Sequence, residues 1–559
     1  MAGTWTGLVN QPAFQTSTMI LLTDGRVMVQ EEATAHWHAL TPDDSGSYAH
    51  GTWSTLADMS FWRRYYASAV TRDGRVIVIG GEQSGDGGDS RRGEIYDPLS
   101  DSWSPIPSPP GWTQVGDAAC CLFPDGRLMT GALLTGLCAI YDPVADSWSP
   151  AASQAVRTNE ETWILLPDES ILTVECFAPY EGQRYSISAN AWKSEGLPPV
   201  TLVDPVMSEI GPAMLLYNGK VIVLGAADSG GHGKTAIYSP PASPYGTGTW
   251  AAGPDIPTAG KEALVCNDCP ASLLPNGKVL FASAPYRFND WGFPIYFFEY
   301  DPFTNAIAPA PTPPNNGEQL YWSRLMLLPT GQVLFSPSTD DIQCYTPDGG
   351  PSESWRPTIS DVLPHCAGSD IDYYLLRGTQ LTGLSQANIY GDDCYPATNY
   401  PLVQLRSGLT GEVSYCRTYA FSTMAVATGS LPQSARFDAS NIPYGDYELR
   451  VIANGISSHE VSFCHRRAGT TCGCAASRSD CQCEQTCCPG PEASDPQIVR
   501  LRQELKALRA DVQRLGSPDR GERPARQPKE RGEATEAGQV AAQREPAAGK
   551  PRRGRSGDA

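Results

Sequence analysis

Four carboxylates in this chain lie at nearly the same distance before a turn that recurs along the sequence. Asp117, Glu160 and Asp268 come eight residues before a turn dipeptide, and Glu209 comes nine residues before one. Side chains in register within a repeat meet on one face of the folded array, so these four should share one mouth. Carboxylate oxygens suit Ca²⁺ or Mg²⁺, and like charges this close raise one another's pKa unless a cation lies among them.

Three aromatic residues occupy the same positions in other copies of the repeat. Tyr65 and Trp322 come eight residues before a turn, and Tyr321 comes nine residues before one. We interpret this ring as a cation site or as a ligand site in which sugar hydroxyls donate to carboxylates beside aromatic rings. Two alternatives stay open. The carboxylates accept hydrogen bonds from inner-strand N–H groups, or two of them act as acid and base on a glycoside, although nothing marks the two roles apart.

The turn recurs seven times, with a period of roughly 50 residues that is typical of β-propeller blades. The copies are Asp24-Gly25, Asp73-Gly74, Asp125-Gly126, Asp168-Glu169, Asn218-Gly219, Asn276-Gly277 and Thr330-Gly331. An apolar run precedes most copies and a β-branched run follows, while Asp-Gly and Asn-Gly supply the positive φ of a tight hairpin. Four short strands in each of seven units predict an all-β chain with a seven-bladed propeller.

A tryptophan in a polar setting follows most of the turns. These residues are Trp53, Trp103, Trp148, Trp192, Trp250 and Trp355, and the sixth unit has Asn305-Ala306 instead. Gly3-Thr4-Trp5 repeats the local pattern of residues 51–53 and 248–250, which predicts an extra outer strand at the N-terminus. Either that strand or the strand at Trp355 closes the last blade.

The pattern changes along the chain and predicts five segments. Residues 1–357 form the propeller, and residues 358–465 carry alternating strands typical of a β-sandwich. Residues 466–493 are a Cys-rich linker, residues 494–516 a short helix, and residues 517–559 a disordered basic tail without apolar clusters.

Cysteines are concentrated just after the predicted sandwich. Beyond Cys464, the segment contains Cys472, Cys474, Cys481, Cys483, Cys487 and Cys488. So little chain separates them that either disulfides or a soft metal such as Zn²⁺ must hold the segment together. A separate C-x-x-C pair, Cys266 and Cys269, flanks Asp268 and is either a redox pair or half of a metal site.

The predicted helix carries a heptad seam. Its apolar residues are Ile498, Leu501, Leu505, Leu508, Val512 and Leu515. Steps of three and four residues place them on one stripe, as in a short coiled coil. We expect this helix to join copies of the chain into a homo-oligomer.

Charge and composition exclude several classes of function. The net charge is −20, and the tail from 517 holds ten Lys or Arg against seven Asp or Glu, so the folded body is near −23. Such an acidic body argues against nucleic acid as a partner. No apolar run is long enough to span a membrane. No secretion signal is visible before Trp5, which fits either a mature N-terminus or a mis-set start. A phosphate-cradling Gly-rich loop and a Gly-x-Ser-x-Gly elbow are also missing.

The turn and Trp pattern resembles kelch repeats, and residues 1–465 resemble the galactose-oxidase-like family. The closest stretch to that family comprises residues 63–69, 73–76, 80–81 and 93–96. Residues 378–386, 390–393 and 397–403 resemble its bacterial branch. The resemblance implies a kelch propeller followed by an immunoglobulin-like "early set" domain. It also implies copper-radical oxidase chemistry and an extracellular or cell-surface location.

The copper-radical residues of that family carry over only in part. Tyr65 corresponds to the cross-linked Tyr of the family and Tyr321 to its axial Tyr. Trp322 and Tyr419 occupy the positions of the two His ligands of copper. Thr16 replaces the cross-linking Cys, and Gln83 replaces the stacking Trp. Because imidazole nitrogens hold copper in such a site, these differences argue against a copper centre.

Two functions follow from these observations. The first is a non-catalytic, oligomeric propeller that binds carbohydrate or protein at its mouth. The alternative is a diverged oxidoreductase, or another carbohydrate-active enzyme, that uses the same mouth.

Overall fold

The computed structural model describes residues 3–466, with gaps at 86, 228–230, 244, 288–290, 365–372 and 390–396. In this part of the chain the secondary structure consists of β-strands and two short 3₁₀ helices, Leu320–Trp322 and Glu353–Trp355. The predicted Cys472–Cys488 cluster, the Ile498–Leu515 seam and the basic tail lie outside the described residues.

The first half of the propeller follows the turn repeat. One strand, β1 (Thr4–Gly7), precedes the first blade. Blades one to three contain β2 (Thr16–Leu21), β3 (Val27–Glu31), β4 (Trp37–Thr41), β5 (Thr52–Leu56), β6 (Ala67–Val70), β7 (Val76–Ile79), β8 (Gly93–Asp97), β9 (Ser102–Ile106), β10 (Cys120–Leu122), β11 (Leu128–Gly131), β12 (Cys138–Asp142) and β13 (Ser147–Pro150). Each blade is a four-stranded antiparallel sheet in chain order.

Blades four to six repeat the same order. Their strands are β14 (Ile164–Leu165), β15 (Ser170–Val174), β16 (Gly182–Ser186), β17 (Ala191–Gly196), β18 (Ala213–Leu215), β19 (Val221–Ala227), β20 (Gly233–Ser239), β21 (Thr249–Ala252), β22 (Leu264–Val265), β23 (Ala271–Leu273), β24 (Val279–Pro285), β25 (Tyr296–Asp301) and β26 (Ala306–Pro309). The extra strand β22 pairs with β24 ahead of the four regular strands of blade six.

The seventh blade is completed by the start of the chain. Its own strands are β27 (Arg324–Leu327), β28 (Val333–Ser336) and β29 (Gln343–Thr346). Strand β1 pairs antiparallel with β29, with Thr4 opposite Thr346 and Gly7 opposite Gln343. The N-terminal strand therefore closes the ring, and the prediction of a seven-bladed all-β propeller is confirmed.

The repeated tryptophans join each blade to the one before it. Each indole N–H donates to a backbone carbonyl near the end of the preceding outer strand or just beyond it, at 2.6 to 3.2 Å, as in Trp103 to Ala57 and Trp148 to Pro107. Trp5 does the same to Pro311 at 2.7 Å, so it supplies the tryptophan of blade seven. Trp355 instead lies in a 3₁₀ helix and packs against Tyr217, because β1 already occupies the outer position.

A second β-domain follows the propeller. Its strands are β30 (Thr358–Pro364), β31 (Tyr373–Thr379), β33 (Leu402–Ser407), β34 (Val413–Tyr419), β35 (Pro432–Asp438), β36 (Gly445–Ala453), β37 (Ile456–Ser457) and β38 (Val461–His465), while β32 (Asn388–Ile389) pairs with β23 of the propeller. Apart from β32, these strands form one continuous eight-stranded antiparallel sheet around a separate apolar core that includes Leu376, Leu405 and Phe437. The immunoglobulin-like class of this domain stays a prediction.

The second domain covers the propeller face that carries the Asp-Gly turns, which we call the turn face. Tyr400 Oη donates to the Leu21 carbonyl, Thr418 N donates to Thr23 O at 3.1 Å, and Met424 N donates to Pro124 O at 2.9 Å. A further segment reaches the inner strands, where Leu165 N donates to Gln386 Oε1 at 3.0 Å. The opposite face, the mouth, therefore carries the residues that precede each inner strand.

Among the described residues, no helix is both long and apolar enough to cross a membrane.

Candidate functional site at the propeller mouth

Three of the four predicted carboxylates come together at the mouth. Glu160, Glu209 and Asp268 each offer one carboxylate oxygen, and these oxygens all lie within 4.8 Å of one another. We call these residues the carboxylate cluster. All three side chains are buried, with residue exposures of 6%, 5% and 0%. Three adjacent blades each supply one member, as the shared distance to the turn predicted.

Hydrogen bonds between neighbouring blades hold the cluster in place. Asn159 Nδ2 donates to Ser208 O at 3.0 Å, which joins the loops that carry Glu160 and Glu209. Asp268 N donates to Ile210 O at 3.2 Å and joins the third loop to the second. Asp268 itself has φ of +49°, a left-handed conformation that costs a non-glycine residue free energy and often marks functional loops.

Asp117 is also buried, but it is not part of this three-oxygen group. Its loop is tied to blade two, because Gly81 N donates to the Gly116 carbonyl at 2.7 Å. The structure therefore reduces the predicted set of four converging carboxylates to three.

An aromatic wall continues from the cluster across the mouth. The Tyr65 and Tyr321 rings lie 6.1 Å apart, and the Trp291 and Tyr321 rings lie 4.7 Å apart. Trp291 Nε1 also donates to Asp268 Oδ2, so the wall and the cluster are one continuous surface. Trp322 is half-buried beside Tyr321, with ring centroids 5.6 Å apart.

Two residues of this surface escaped the sequence reasoning. Trp291 lies in the loop between β24 and β25, which returns to the mouth. The distance to the turn locates only residues before the first strand of a blade, so it does not predict Trp291. Arg324 is buried inside β27. Its Nη1 donates to Tyr321 O at 2.6 Å, and its guanidinium lies 5.7 Å from the Tyr65 ring centre, so it positions both tyrosines.

A further buried acid stands beside the cluster. Burial raises the pKa of Glu161 from its ordinary value of 4.5 to about 7, although hydrogen bonds partly offset this effect. The bonds come from Asn159 N at 2.9 Å and from the Trp163 indole at 3.4 Å. Because the charged form is disfavoured, Glu161 holds its proton to higher pH than a solvated glutamate.

The other positions carried over from the copper-radical pattern have different surroundings. Thr16 Oγ1 donates to Thr339 O at 2.8 Å and also bonds Ser336, which joins blades one and seven. Gln83 accepts a hydrogen bond from Arg64 at 3.1 Å.

Tyr419 does not lie at the mouth, so its placement as a substitute for a ligand there is wrong. It ends β34 in the second domain, next to Thr418, which bonds the turn face at Thr23. Distance along the chain misplaced it because the second domain does not follow the period of the blades.

Comparisons with known proteins agree with this fold. A sequence family described as Kelch motif matches residues 63–110. A galactose oxidase of Gibberella zeae is 42% identical over 57 residues, which is 10% of this chain and 8% of that protein. The Kelch-like protein terF of Aspergillus terreus is 30% identical over 121 residues, 21% of this chain and 25% of that protein. The matches thus span a quarter or less of these relatives.

Two solved structures are also similar. A fungal alcohol oxidase in complex with copper covers 83% of this chain and 99% of its own, with 15% identity and a TM-score of 0.49. A streptogramin B lyase covers 62% of this chain, with 12% identity and a TM-score of 0.43.

Together, the kelch match, the local galactose oxidase likeness and the seven closed blades define the class of the protein. It is a seven-bladed β-propeller whose residues 63–110 match the kelch motif and whose sequence is locally similar to galactose oxidase.

Proposed function

We propose that the mouth is a cation-dependent carbohydrate-binding site in which Glu160, Glu209 and Asp268 hold one divalent cation. The observation that carries this proposal is the approach of three buried carboxylate oxygens to within 4.8 Å of one another. Three negative charges this close in a buried site repel one another, and either protons or a cation must balance them. A single divalent ion removes most of this repulsion.

The donor set favours Ca²⁺ over softer metals. Calcium takes six to eight oxygen ligands in flexible geometry, and carboxylates can bind it through one oxygen or two. The three members of the cluster are all oxygen donors. Zinc and copper prefer imidazole or thiolate ligands, which these three residues do not provide.

The aromatic wall supports a sugar as the ligand. A ring hydroxyl can complete the coordination of a bound Ca²⁺, and the apolar face of a sugar packs well on exposed aromatic surface. Tyr65 and Tyr321 are buried, whereas the indoles of Trp291 and Trp322 keep part of their surface exposed, so a sugar would pack on these two indoles. Such a site needs no proton transfer or electron transfer.

The oligomer predicted from the heptad seam at 494–516 would add avidity to weak single contacts. An extracellular location, which the galactose-oxidase resemblance implies, would supply calcium at the concentrations that weak Ca²⁺ sites need.

The described mouth residues do not fit a copper-radical centre. Tyr65 and Tyr321 are in place, but Thr16 and Trp322 supply neither the thiol nor the imidazole of that set. The proposal therefore contains no redox step.

Terbium luminescence tests the cation site directly. Tb³⁺ replaces Ca²⁺ on oxygen ligands and is excited by nearby indole and phenol rings, here Trp291 and Tyr321. We expect saturable luminescence that Ca²⁺ displaces, and Asp268→Asn should weaken Tb³⁺ binding about tenfold or more because the site loses one of three charges. Asp125→Asn on the turn face is the matched control and should bind Tb³⁺ as the unaltered protein does.

Two results would count against the proposal: no saturable signal, or equal Tb³⁺ affinity in the Asp268 and Asp125 variants. A glycan array, probed once with calcium and once with a chelator, identifies the sugar. Binding that survives the chelator would separate carbohydrate recognition from the cation.

A second candidate function rests on the Tyr65–Tyr321 pair, whose rings lie 6.1 Å apart. It is a diverged oxidoreductase or another carbohydrate-active enzyme at the same mouth. Peroxide release or product formation from alcohols and sugars, lost in Tyr65→Phe, would favour this alternative.

A further inference from the structure

A tight turn between two cysteines carries one member of the carboxylate cluster. Cys266 and Cys269 flank Asn267 and Asp268, and Cys269 N donates to Cys266 O at 3.3 Å, which closes a β-turn. Both thiols are free and fully buried. The Cys266 thiol donates to Ala282 O at 3.7 Å, and burial, followed by the neighbouring Cys266 thiol, raises the pKa of Cys269 above its ordinary value.

The spacing of the turn suits a disulfide. In a β-turn the first and fourth Cα atoms lie within about 7 Å, and disulfides bridge Cα atoms roughly 4.4 to 6.8 Å apart. The turn is also packed against the preceding blade, blade five. A Cβ added at Gly211 would lie 2.5 Å from Cys266 O, so Cys266 has little room to move away.

We propose that Cys266 and Cys269 form a redox-controlled disulfide that holds the turn of Asp268 in its cation-binding conformation. The pair thus acts as a regulator of the mouth, sensitive to the thiol–disulfide balance around the protein. The regulatory part of this inference rests on the proposed cation site, whereas the disulfide itself does not.

The chemistry is thiol–disulfide exchange with a low-molecular-weight disulfide. One cysteine thiolate attacks that disulfide, forms a mixed disulfide and releases one small thiol. The second cysteine thiolate then attacks the mixed disulfide at the protein sulfur and releases the other small thiol. Two S–H bonds are replaced by one S–S bond, and the oxidant takes up both electrons and both protons. Because the thiols are buried, exchange takes place while the chain folds or opens locally.

Oxidation should strengthen cation binding through the conformation of Asp268. The positive φ of this residue is a conformation that a freely moving loop leaves easily. A bond between Cys266 and Cys269 narrows the conformations open to the loop that contains Asp268, and a preorganised site binds more tightly.

Peptide mapping tests the disulfide on the full chain. Trypsin cleaves after Lys261 and Lys278, and residues 262–278 contain Cys266 and Cys269 but no other cysteine. The protein is produced in an oxidising compartment, alkylated without reductant and digested. We expect this peptide unalkylated and two hydrogen atoms lighter than its dithiol form. Two alkylated cysteines, or a cross-link to Cys176 on residues 158–184, would overturn the inference.

Terbium titration tests the regulation. Oxidised protein should bind Tb³⁺ about threefold to tenfold more tightly than a Cys266→Ala/Cys269→Ala variant, which cannot form the bond. Cys344→Ala, a buried cysteine in blade seven, is the matched control and should leave the affinity unchanged. Equal affinities in all three proteins would refute the regulation. Absence of Tb³⁺ binding in all three, with the disulfide present in the map, would refute the cation site and the regulation that rests on it, and leave the disulfide established.

Discussion

The two faces of the propeller place their acidic residues in opposite settings. On the turn face, Asp73 lies 2.8 Å from Arg75 and Asp125 lies 2.7 Å from Arg127, so each carboxylate has its own cation two residues away. At the mouth, the acids of three blades approach one another instead. Acids are therefore neutralised one by one at the turns of blades two and three, and they are concentrated at the mouth of blades four to six.

The pKa shifts follow this division. Burial alone would raise the pKa of Asp73, but hydrogen bonds from Arg75 and Thr71 lower it overall. At the mouth, burial raises the pKa of Glu161 to about 7. The arginine pairing on the turn face therefore favours the charged form of Asp73, whereas burial at the mouth favours the protonated form of Glu161.

The largest expected effect on stability comes from the contact of the second domain with the turn face. Tyr400→Ala removes a fully buried ring that bonds Leu21, and it should lower the free energy of unfolding by about 3 to 5 kcal/mol. Tyr245→Ala makes the same truncation at a residue that is 91% exposed and should cost less than about 0.5 kcal/mol. Urea denaturation measures both. If Tyr400→Ala also abolished Tb³⁺ binding in folded protein, the inference that the turn face and the mouth act independently would be wrong.

The next effect concerns the pH dependence of the mouth. A raised pKa means that the stabilisation due to protonated Glu161 is complete below its ordinary pKa of 4.5 and is lost as pH rises through about 7. In protein freed of divalent ions, the free energy of unfolding should fall by roughly 3 kcal/mol over this pH range. Glu161→Gln should remove this pH dependence, and the exposed Glu412→Gln should keep it. Parallel urea-midpoint profiles for the unaltered protein and Glu161→Gln would contradict the assignment.

Adding calcium should stabilise the protein through the mouth alone. A ligand at about 100 times its Kd stabilises the folded state by about 2.7 kcal/mol. We expect Ca²⁺ to raise the thermal midpoint of the unaltered protein and of Asp125→Asn, but not that of Asp268→Asn. An equal rise in all three would place the calcium elsewhere.

Much of this arrangement could be predicted from the sequence, because a propeller repeats radially. Counting back from each turn placed Tyr65 beside Tyr321 and brought Glu160, Glu209 and Asp268 to one mouth. The same count missed Trp291, since its loop reaches the mouth from the other side of the blade.

The pairing of segments that lie far apart in the sequence could not be predicted. Trp5 and Trp355 are both tryptophans in a polar setting, and only the pairing of β1 with β29 decides which one completes blade seven. Tyr419 was misplaced for a related reason, because the second domain has no repeat from which a register could be counted.

The smallest effect tests the local pairing on the turn face. The lowered pKa of Asp73 means that its stabilisation is present above its ordinary value of 3.8 and is lost as pH falls through the lower folded value. The Asp73 side chain is 49% exposed and solvent screens the pair, so Asp73→Asn should cost only about 0.2 to 1 kcal/mol at pH 7. The cost should vanish in acid, where both side chains are neutral, and the exposed Asp340→Asn should cost nothing at either pH. A cost that persisted unchanged in acid would show that the Asp-Gly turn depends on the shape of the side chain rather than on its charge.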